Sequence, residues 1–466
     1  MTDFLWTLDE VLAATGGKLH GDKIDGITGI TFDSREVQPG DLFIALDGPT
    51  TGGTRDGHDF VAAAFAAGAA LALVTHAVGD GPQIIVADTL RALELIAIAA
   101  RERTNCMRVA VTGSVGKTGV TRAILAGLRE AGRAHGPVGS FNNHIGVPLT
   151  LARMPRDTER AVFEIGMNHA DEITPLTKLV QPHVAVITTV GAVHTENFPD
   201  GEAGVARAKG EIFDGLQSGG VAILNRDNTW FELLAGMAKK SGARVESFGT
   251  FVDADARLIS FEGRTGGMSV QAQVLGDDVT FDMQQSGEHW ALNSLAVLLA
   301  LQAAGVTRAQ ALAALGSYAP QDGRGAIHEV KMHKGGSFTL IDESYNANPL
   351  SMKAALANLG AAPGSRRVAA LTDMLELGPM TAEAHTGLAA EIEAQKIDLV
   401  FCAGPLMQNL WNALSSSRKG GWAATATELA PQLQAALQPG DAVMVKGSKG
   451  SKASLLAAVL LGQKAA

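Results

Sequence analysis

Residues 109–121 read VAVTGSVGKTGVT and combine an apolar strand, a glycine turn and the start of a helix. The apolar run at 107–111 predicts the strand, and apolar periodicity after Thr118 predicts the helix. Backbone N–H groups of such a turn point inward, and the helix dipole favours an anion there. The stretch therefore predicts a phosphate loop for a nucleoside triphosphate. Its residues are Gly113, Ser114, Val115, Gly116, Lys117 and Thr118.

Two side chains give this loop its chemistry. Lys117 is long enough to reach terminal phosphates, and the Thr118 hydroxyl can ligate Mg²⁺. Val111 stands where the longer form of the loop has its first glycine, so the loop reads G-x-x-G-K-T. An ordinary strand–turn–helix with a surface lysine is the alternative, but the spacing favours a nucleotide site.

Composition restricts the class of protein. A chain of 466 residues is too long to fold around one hydrophobic core. A composition of 46% hydrophobic and 18% charged residues is typical of a soluble α/β enzyme. The formal charge of −10 argues against general nucleic-acid binding, which needs a basic surface. Cys106 and Cys402 are too few for a disulfide framework or a zinc site, so we expect a cytoplasmic protein.

Changes in composition predict three domains. A polar segment at 101–105 precedes the phosphate-loop strand, and Pro and Gly cluster at 318–325. We predict a small α/β domain over 1–104, a central ATPase domain with a mostly parallel sheet over 105–318, and a Rossmann-like doubly wound domain over 319–466. Residues 250–284 are turn-rich and predict an antiparallel excursion. The nearly uncharged run at 60–78 is interpreted as a buried helix and a strand, with no integral membrane segment.

Polar residues follow several predicted strands of the central domain. Glu164, His194 and Asn225 each come at or just after an apolar run, where parallel sheets bind ligands. An unpaired buried acid is costly, so Glu164 either pairs or binds metal, and the phosphate loop favours metal. On residue type alone, His194 is more often structural and Lys209 is usually a solvated lysine.

Four segments together resemble the ATP-dependent Mur ligases, which add amino acids to the UDP-linked precursor of peptidoglycan. They are VTGSVGKT (111–118), FEIGMNHADEI (163–173), ITTVGAVHTENF (187–198) and ARAKGEIF (206–213). The resemblance implies ATP, two Mg²⁺ ions and a carbamylated Lys209, fifteen positions after His194. It implies catalytic roles for Lys117, Glu164, His194 and Lys209, and metal contacts from Thr118, Glu164, His194 and Lys209.

The N-terminal residues resemble the same family's uridine-nucleotide domain, in FDSREVQPGDLFIALDG (32–48) and DGHDFVAAAFAAGA (56–69). The resemblance places Ser34 and Arg35 near the UDP pyrophosphate, with Asp33 and His58 as secondary candidates. A turn or a helix cap is the alternative for Asp33 and Ser34. The segment GSFNNHIGVPLTL (139–151) resembles the family's substrate and phosphate loop, although Asn-rich segments are otherwise mostly turns. There the implied substrate contacts are Asn142, Asn143 and Thr150.

Three later motifs carry the resemblance to the end of the chain. GEHWALNSLAV (287–297) implies that Asn293 contacts adenine and leaves His289 undecided, and DGRG (322–325) implies that Arg324 contacts ATP phosphates. IDESYNANPLSM (341–352) resembles the family member that adds D-alanyl-D-alanine to UDP-MurNAc-tripeptide. TDMLELG (372–378) and VKGSKGS (445–451) support that assignment. The implied substrate residues in this part are Tyr345, Asn346 and Asn348.

The resemblance implies that ATP activates a carboxylate as an acyl-phosphate, which the amine of D-Ala-D-Ala then attacks, in a monomeric enzyme. Three departures from the family are Thr372 in place of glycine, Gly119 in place of a hydroxyl residue, and a longer loop at 49–55. Another member of the family, a P-loop GTPase or kinase, and a non-catalytic nucleotide-binding scaffold are the alternatives. No N-K-x-D guanine motif occurs in the chain, and a scaffold has no need of Glu164, His194 and Lys209 together.

Overall fold

The structure, a computed structural model, describes residues 4–51, 54–193, 195–264, 266–332 and 335–463. Three α/β units follow one another along these ranges, each with its own main sheet. The prediction of an α/β fold with mostly parallel sheets is confirmed. Within the described ranges, no helix is long and apolar enough to cross a membrane.

The first unit contains short strands and helices that alternate. In chain order they are β1 (Trp6–Thr7), α1 (Leu8–Thr15), β2 (Lys18–His20), β3 (Gly26–Ile27), β4 (Gly29–Thr31), β5 (Asp41–Ile44), α2 (Gly48–Thr51), α3 (Val61–Ala66), β6 (Leu71–Val74), β7 (Gln83–Ile85) and α4 (Thr89–Glu102). The sheet order is β2-β7-β6-β5-β4, parallel except for β2, and β1 pairs with β3. All of β6 is buried, which confirms the strand predicted within 60–78. The helix α3 also forms there, but it is not buried as predicted, because Ala62, Ala63 and Ala66 are exposed.

The central unit begins with the phosphate-loop strand. Its elements are β8 (Met107–Thr112), α5 (Lys117–Glu130), β9 (Ala134–His135), α6 (Gly146–Ala152), β10 (Arg160–Glu164), α7 (Ile173–Val180), β11 (Val184–Ile187), α8 (Glu202–Gly210), β12 (Val221–Asn225), α9 (Phe231–Lys240), β13 (Arg244–Gly249), β14 (Ala256–Arg264), β15 (Gly267–Val274), β16 (Asp277–Met283), α10 (Glu288–Ala303) and α11 (Arg308–Ser317). The nine strands run β16-β15-β14-β13-β12-β11-β8-β10-β9. Pairing among β14, β15 and β16 is antiparallel, which confirms the excursion predicted for 250–284.

Helices cover both faces of the parallel part of this sheet. Val109 and Val111 of β8 pack with α5 and α10, whereas Ala110 faces the core formed with α6, α7, α8 and α9. This burial on both faces explains why the strand reads as a continuous apolar run. After β8 the chain passes to β9 and β10 on one side and then crosses to β11 on the other. The phosphate loop therefore lies at the point where the strand order reverses, the usual ligand position in such sheets.

The third unit is a smaller doubly wound sheet. Its elements are β17 (Ala326–Lys331), β18 (Ser337–Glu343), α12 (Pro349–Ala361), β19 (Arg367–Thr372), α13 (Thr381–Ala394), β20 (Leu399–Ala403), α14 (Gln408–Ala413), β21 (Lys419–Ala423), α15 (Ala426–Ala436), β22 (Ala442–Lys446) and α16 (Ala453–Leu460). The order is β17-β18-β22-β19-β20-β21, and the edge strand β17 alone is antiparallel to its neighbour among these six.

His135, on the edge strand β9, makes the stability of the central unit depend on pH. Its Nε2 lies 2.7 Å from the Thr150 carbonyl oxygen, and burial lowers the pKa of His135 to about 4, helped by nearby Arg153 and Arg129. The unfolded chain, with a pKa of about 6.5, takes up the proton first as the pH falls. This contribution is therefore complete above about pH 6.5 and is lost toward pH 4.

We expect the free energy of unfolding to fall by on the order of 2 kcal/mol more in the wild type than in His135→Gln over that interval. The glutamine amide can still donate to the Thr150 carbonyl but does not titrate. Urea unfolding at a series of pH values measures the difference. Identical pH slopes for the two proteins would contradict this assignment.

Candidate nucleotide-binding and ligation site

The phosphate loop is held rigidly against the segment that follows β11. The Ser114 amide donates to the Thr189 carbonyl at 2.8 Å, and the Ser114 hydroxyl bonds to Gly191. The Thr188 hydroxyl donates to the Val115 carbonyl at 2.5 Å. Gly113 has φ 148°, and a Cβ there would overlap the Thr188 hydroxyl, so only glycine fits. These contacts fix the loop before any ligand arrives.

Lys117, the first residue of α5, lies folded back over its own loop. Its Nζ donates to the Gly113 carbonyl at 2.6 Å. Burial lowers the pKa of the Lys117 amine, and the neighbouring Glu164 carboxylate opposes that shift. The amine thus lies where a bound phosphate would offer it stronger hydrogen-bond acceptors than the Gly113 carbonyl.

Glu164, the last residue of β10, carries an uncompensated oxygen. Its side chain is 1% exposed, and Oε1 accepts from the Asn142 amide at 2.7 Å. Oε2 is buried and has no hydrogen-bond partner in the described part of the chain. An orphaned carboxylate oxygen is costly, and the Thr118 hydroxyl is buried on the adjoining helix turn. Two oxygen donors of this kind beside a phosphate loop fit Mg²⁺.

Lys209, in the last turn of α8, is 2% exposed, which is rare for a lysine. Burial lowers the pKa of its amine well below the usual value, and the charge of Lys117 adds to the effect. No described residue forms a hydrogen bond with its amine. A buried amine in this setting favours its neutral form. His194 lies outside the described residues, and no group of three His, Cys, Asp or Glu side chains elsewhere in the described ranges could hold a metal.

A cavity of about 700 Å³ joins the central and third units at this point. The central unit supplies the phosphate loop, Glu164 and Asn225 at strand ends, and one face of α10. The third unit supplies the turn before β17, the end of β18 with the turn after it, and the turn after β22. The facing residues of the third unit are Arg324, Glu343, Tyr345, Asn346, Asn348, Lys446, Ser448 and Lys449.

Arg324 and Tyr345 both reach across this cavity to Ser140. The Arg324 guanidinium lies 3.8 Å from the centre of the Tyr345 ring, and its Nη2 is 3.3 Å from Ser140 Oγ. The Tyr345 hydroxyl donates to the same Oγ at 3.0 Å. Burial tends to raise the pKa of Tyr345, but the Ser140 hydrogen bond and the charges of Arg324 and Lys449 lower it overall. A cationic group is thus positioned opposite the phosphate loop.

Asp342 holds the backbone next to both Arg324 and Tyr345. Its carboxylate accepts from the Gly323 amide at 2.8 Å and from the Ser344 amide at 3.1 Å. The Asn348 side chain caps α12 by accepting from the Ser351 amide at 2.9 Å. Asn346 contributes its backbone carbonyl, which accepts from the buried Lys446 Nζ at 3.0 Å.

Three consecutive residues at 140–142 contact all three units. Ser140 meets the third unit as described, and the Phe141 ring packs edge-on against Phe32 of the first unit at 6.3 Å. Asn142 binds Glu164 of the central unit. The segment is thus a junction between the three sheets.

Several residues named from the sequence have other roles in the structure. The Asn143 side chain accepts from the Gly146 amide at 2.9 Å, just before α6. Thr150 is buried within α6, where its hydroxyl donates to the Gly146 carbonyl at 2.8 Å. His58 is buried, with Nδ1 2.6 Å from Asp56 and Nε2 accepting from the Thr75 amide, so its ring is already satisfied.

The remaining two groups lie in different units. Arg35 is exposed and pairs with Asp33, which lowers the pKa of that carboxyl, while Ser34 sits between them on the surface turn. Asn293 packs over the phosphate loop, since a Cβ at Gly116 would lie 3.1 Å from its amide nitrogen.

Sequence reasoning missed Ser140, Glu343, Lys446, Lys449 and Trp290 as cavity residues. Lys446 ends β22 and Lys449 lies in the glycine-containing turn after it, and a position at the carboxyl end of a strand was a usable signal. Ser140 acts through contacts about 200 positions away, which no local pattern indicates. The departure at Thr372 also has a structural partner, because its hydroxyl lies 2.6 Å from Ser451 Oγ.

Comparison with known proteins defines the class. Residues 26–103 match the catalytic domain of the Mur ligase family, residues 111–301 match the Mur ligase middle domain, and residues 328–449 match the Mur ligase glutamate ligase domain. The chain belongs to the Mur ligase family.

Its relatives include UDP-N-acetylmuramoyl-tripeptide–D-alanyl-D-alanine ligases. The enzyme of that name from Escherichia coli is 33% identical over 449 residues, which cover 96% of each chain. The one from Bacillus subtilis is 33% identical over 434 residues, 91% of each chain. A crystal structure of MurF from Acinetobacter baumannii superposes with a TM-score of 0.86 at 29% identity, covering 98% of this chain and 99% of that one.

Proposed function

We propose that this protein is an ATP-dependent ligase that adds D-alanyl-D-alanine to UDP-N-acetylmuramoyl-tripeptide in peptidoglycan synthesis. One observation carries the proposal: a single cavity joins a rigid phosphate loop to the Arg324 and Tyr345 pair of the third unit. Relatives that are named as ligases of these two substrates align with nearly the whole chain, which supports the choice of substrates. Cys106 and Cys402 are both free, which agrees with a cytoplasmic site for the reaction.

ATP phosphates would occupy the loop formed by Gly113 to Thr118. Lys117 exchanges the Gly113 carbonyl for phosphate oxygens, which are stronger acceptors because they carry charge. Arg324 faces the loop from the third unit and can neutralise charge that develops on the transferred phosphoryl group. Asn293, beside Gly116, is placed toward the nucleoside end of the same loop.

Thr118 and Glu164 are the described residues that would hold Mg²⁺, with His194 as a further proposed ligand. The ion would neutralise the phosphates and orient them for in-line transfer. The orphaned Oε2 of Glu164 supports this assignment, because a cation bound there would compensate it.

Lys209 is proposed to react with CO₂. The neutral amine forms an N–C bond to the CO₂ carbon and releases a proton to water, leaving an anionic carbamate on a long stem. Its burial, which favours the neutral amine, supports this step. The product is a carboxylate-like oxygen ligand, where an ammonium would repel a metal ion.

The ligation then takes two steps. A carboxylate oxygen of the tripeptide attacks the γ-phosphorus, the bond to the bridging oxygen of ADP breaks, and an acyl-phosphate forms. The amine of D-Ala-D-Ala next attacks the acyl carbon, phosphate departs with its oxygen, and the amine loses a proton. Closure of the two units around the bound substrates would exclude the water that hydrolyses an acyl-phosphate. Ser34, Arg35 and Asn142 are proposed to position the UDP-linked substrate, and Tyr345, Asn346 and Asn348 the dipeptide.

The choice of amine tests the proposal. We expect phosphate release from ATP with UDP-MurNAc-tripeptide to require D-Ala-D-Ala, and to stay at background with diaminopimelate or lysine. The assay compares the three amines at equal concentration, with the UDP-tripeptide omitted as the control. Release only with diaminopimelate or lysine would assign the chain to a different reaction of the same family.

A further inference from the structure

Trp290, near the start of α10, lies against the first turn of the phosphate-loop helix. A Cβ built at Gly119 would come within 2.9 Å of its Cζ2 and 3.0 Å of its Cη2. Gly119 is absent from the described residues with positive φ, so the backbone there would accept any side chain. The glycine is therefore required by the indole and not by the turn.

The indole of Trp290 is partly buried and packs against the hydrophobic core. The Tyr318 ring lies behind it, with centroids 6.0 Å apart and planes at 52°. Burial raises the pKa of Tyr318 to about 12, so this backing stays neutral. Trp290 also lines the cavity, and its Nε1–H has no hydrogen-bond partner among the described residues. Part of the aromatic surface thus lines the cavity, and no described residue uses the indole N–H.

The direction of a bound nucleotide follows from the loop itself. In a phosphate loop the lysine reaches the β- and γ-phosphates, while backbone amides hold the α- and β-phosphates. Glu164 and Lys209 mark the reacting γ-phosphate side through their closeness to Lys117. The nucleoside must extend the other way, toward Gly119 and α10. There Trp290 and Asn293, three positions apart, share one helix face.

We propose that Trp290 forms the wall on which the nucleoside of ATP stacks, and that Gly119 is the residue that makes room for it. This inference rests on the proposed ATP site but adds a nucleotide contact and a paired position to it. It also explains why a hydroxyl residue is missing after the G-K-T of this loop. The competing interpretation is that Trp290 only closes the edge of the hydrophobic core, where it packs with Tyr318.

The first test uses an ADP that carries a fluorescent N-methylanthraniloyl group on its ribose, which accepts energy from tryptophan. The chain has five tryptophans. We expect strong tryptophan-sensitised emission on binding to the wild type, loss of most of it in Trp290→Phe, and no loss in Trp230→Phe. Trp230 is a matched control, because it is partly buried near α8 and bonds to Glu202. Unchanged emission in Trp290→Phe would overturn the proposal.

The second test measures affinity for unlabelled ADP by calorimetry. We expect Trp290→Ala to weaken binding about tenfold and Trp290→Phe to weaken it much less, because a phenyl ring still offers a stacking face. Wild-type affinity in Trp290→Ala would overturn the proposal. Failure of the wild type to bind ADP at all would instead overturn the ATP site, so the two failures are distinct.

A double-mutant cycle separates stacking from core packing. We expect Gly119→Ser to weaken ADP binding several-fold in the wild type, because the new side chain displaces the indole. In the Trp290→Ala background the same change should have no further effect. Equal losses in both backgrounds would refute the pairing of the two positions. Thermal unfolding of each variant confirms that the affinities come from folded protein.

Discussion

Replacing Lys117 with alanine is expected to lower ATP-dependent ligation by about a thousandfold or more, on the scale of removing a group that stabilises charge in the transition state. Lys117 already lies over the loop at 2.6 Å from the Gly113 carbonyl, so no rearrangement of the backbone is needed for it to meet a phosphate. Without it, the phosphoryl charge loses its nearest cation from the central unit. Phosphate release measures the effect.

The matched control is Lys240→Ala, which removes an exposed lysine at the end of α9. This control should keep full turnover. Binding of the UDP-linked tripeptide should persist in Lys117→Ala, because that substrate is assigned to the first unit. Normal turnover in Lys117→Ala would contradict the role of this residue.

The second large effect is expected at Lys209. We expect Lys209→Ala to lose activity by about a hundredfold or more, on the scale of other groups that support charge development at the reacting centre. Formate or acetate should restore part of it, because a small carboxylate can fill the space of the missing carbamate. The free energy of unfolding should change much less than the activity. The buried amine makes no hydrogen bond to a described residue, and burying it has a desolvation cost.

Two measurements make this prediction specific. Carbon-13-labelled bicarbonate should give a carbamate signal in the wild-type spectrum and none in Lys209→Ala. Lys178→Ala, at an exposed position of α7, serves as the control and should keep the signal. Full activity of Lys209→Ala without any added carboxylate would refute the carbamate.

The sequence was sufficient for the architecture because each signal was local. The apolar run of β8, the turn at Gly113 to Gly116 and the helix pattern after Thr118 lie within a few residues of each other. The strand predicted at 107–111 lies within β8, since burial on both faces leaves most of its residues apolar. Glu164 was found for the same reason, because an acid ending an apolar run is conspicuous.

Contacts between units could not be read in the same way. Nothing near Ser140 indicates that Arg324 and Tyr345 meet its hydroxyl, because that meeting depends on how two sheets are placed. Local hydrogen bonds were not indicated either: the Thr150 hydroxyl bonds within α6, and the His58 ring bonds to Asp56 and Thr75. The substrate contacts that the resemblance implies for these residues stay predictions. Buried polar side chains near a ligand loop are commonly hydrogen-bonded within the fold itself.

The junction at 140–142 has a mechanical consequence. Phe141, Ser140 and Asn142 are neighbours on one backbone, yet each is attached to a different sheet. A shift of this backbone that suits one sheet therefore alters the fit to the other two at once. A substrate that moves one of the three sheets therefore shifts the same few peptide bonds that the other two sheets contact.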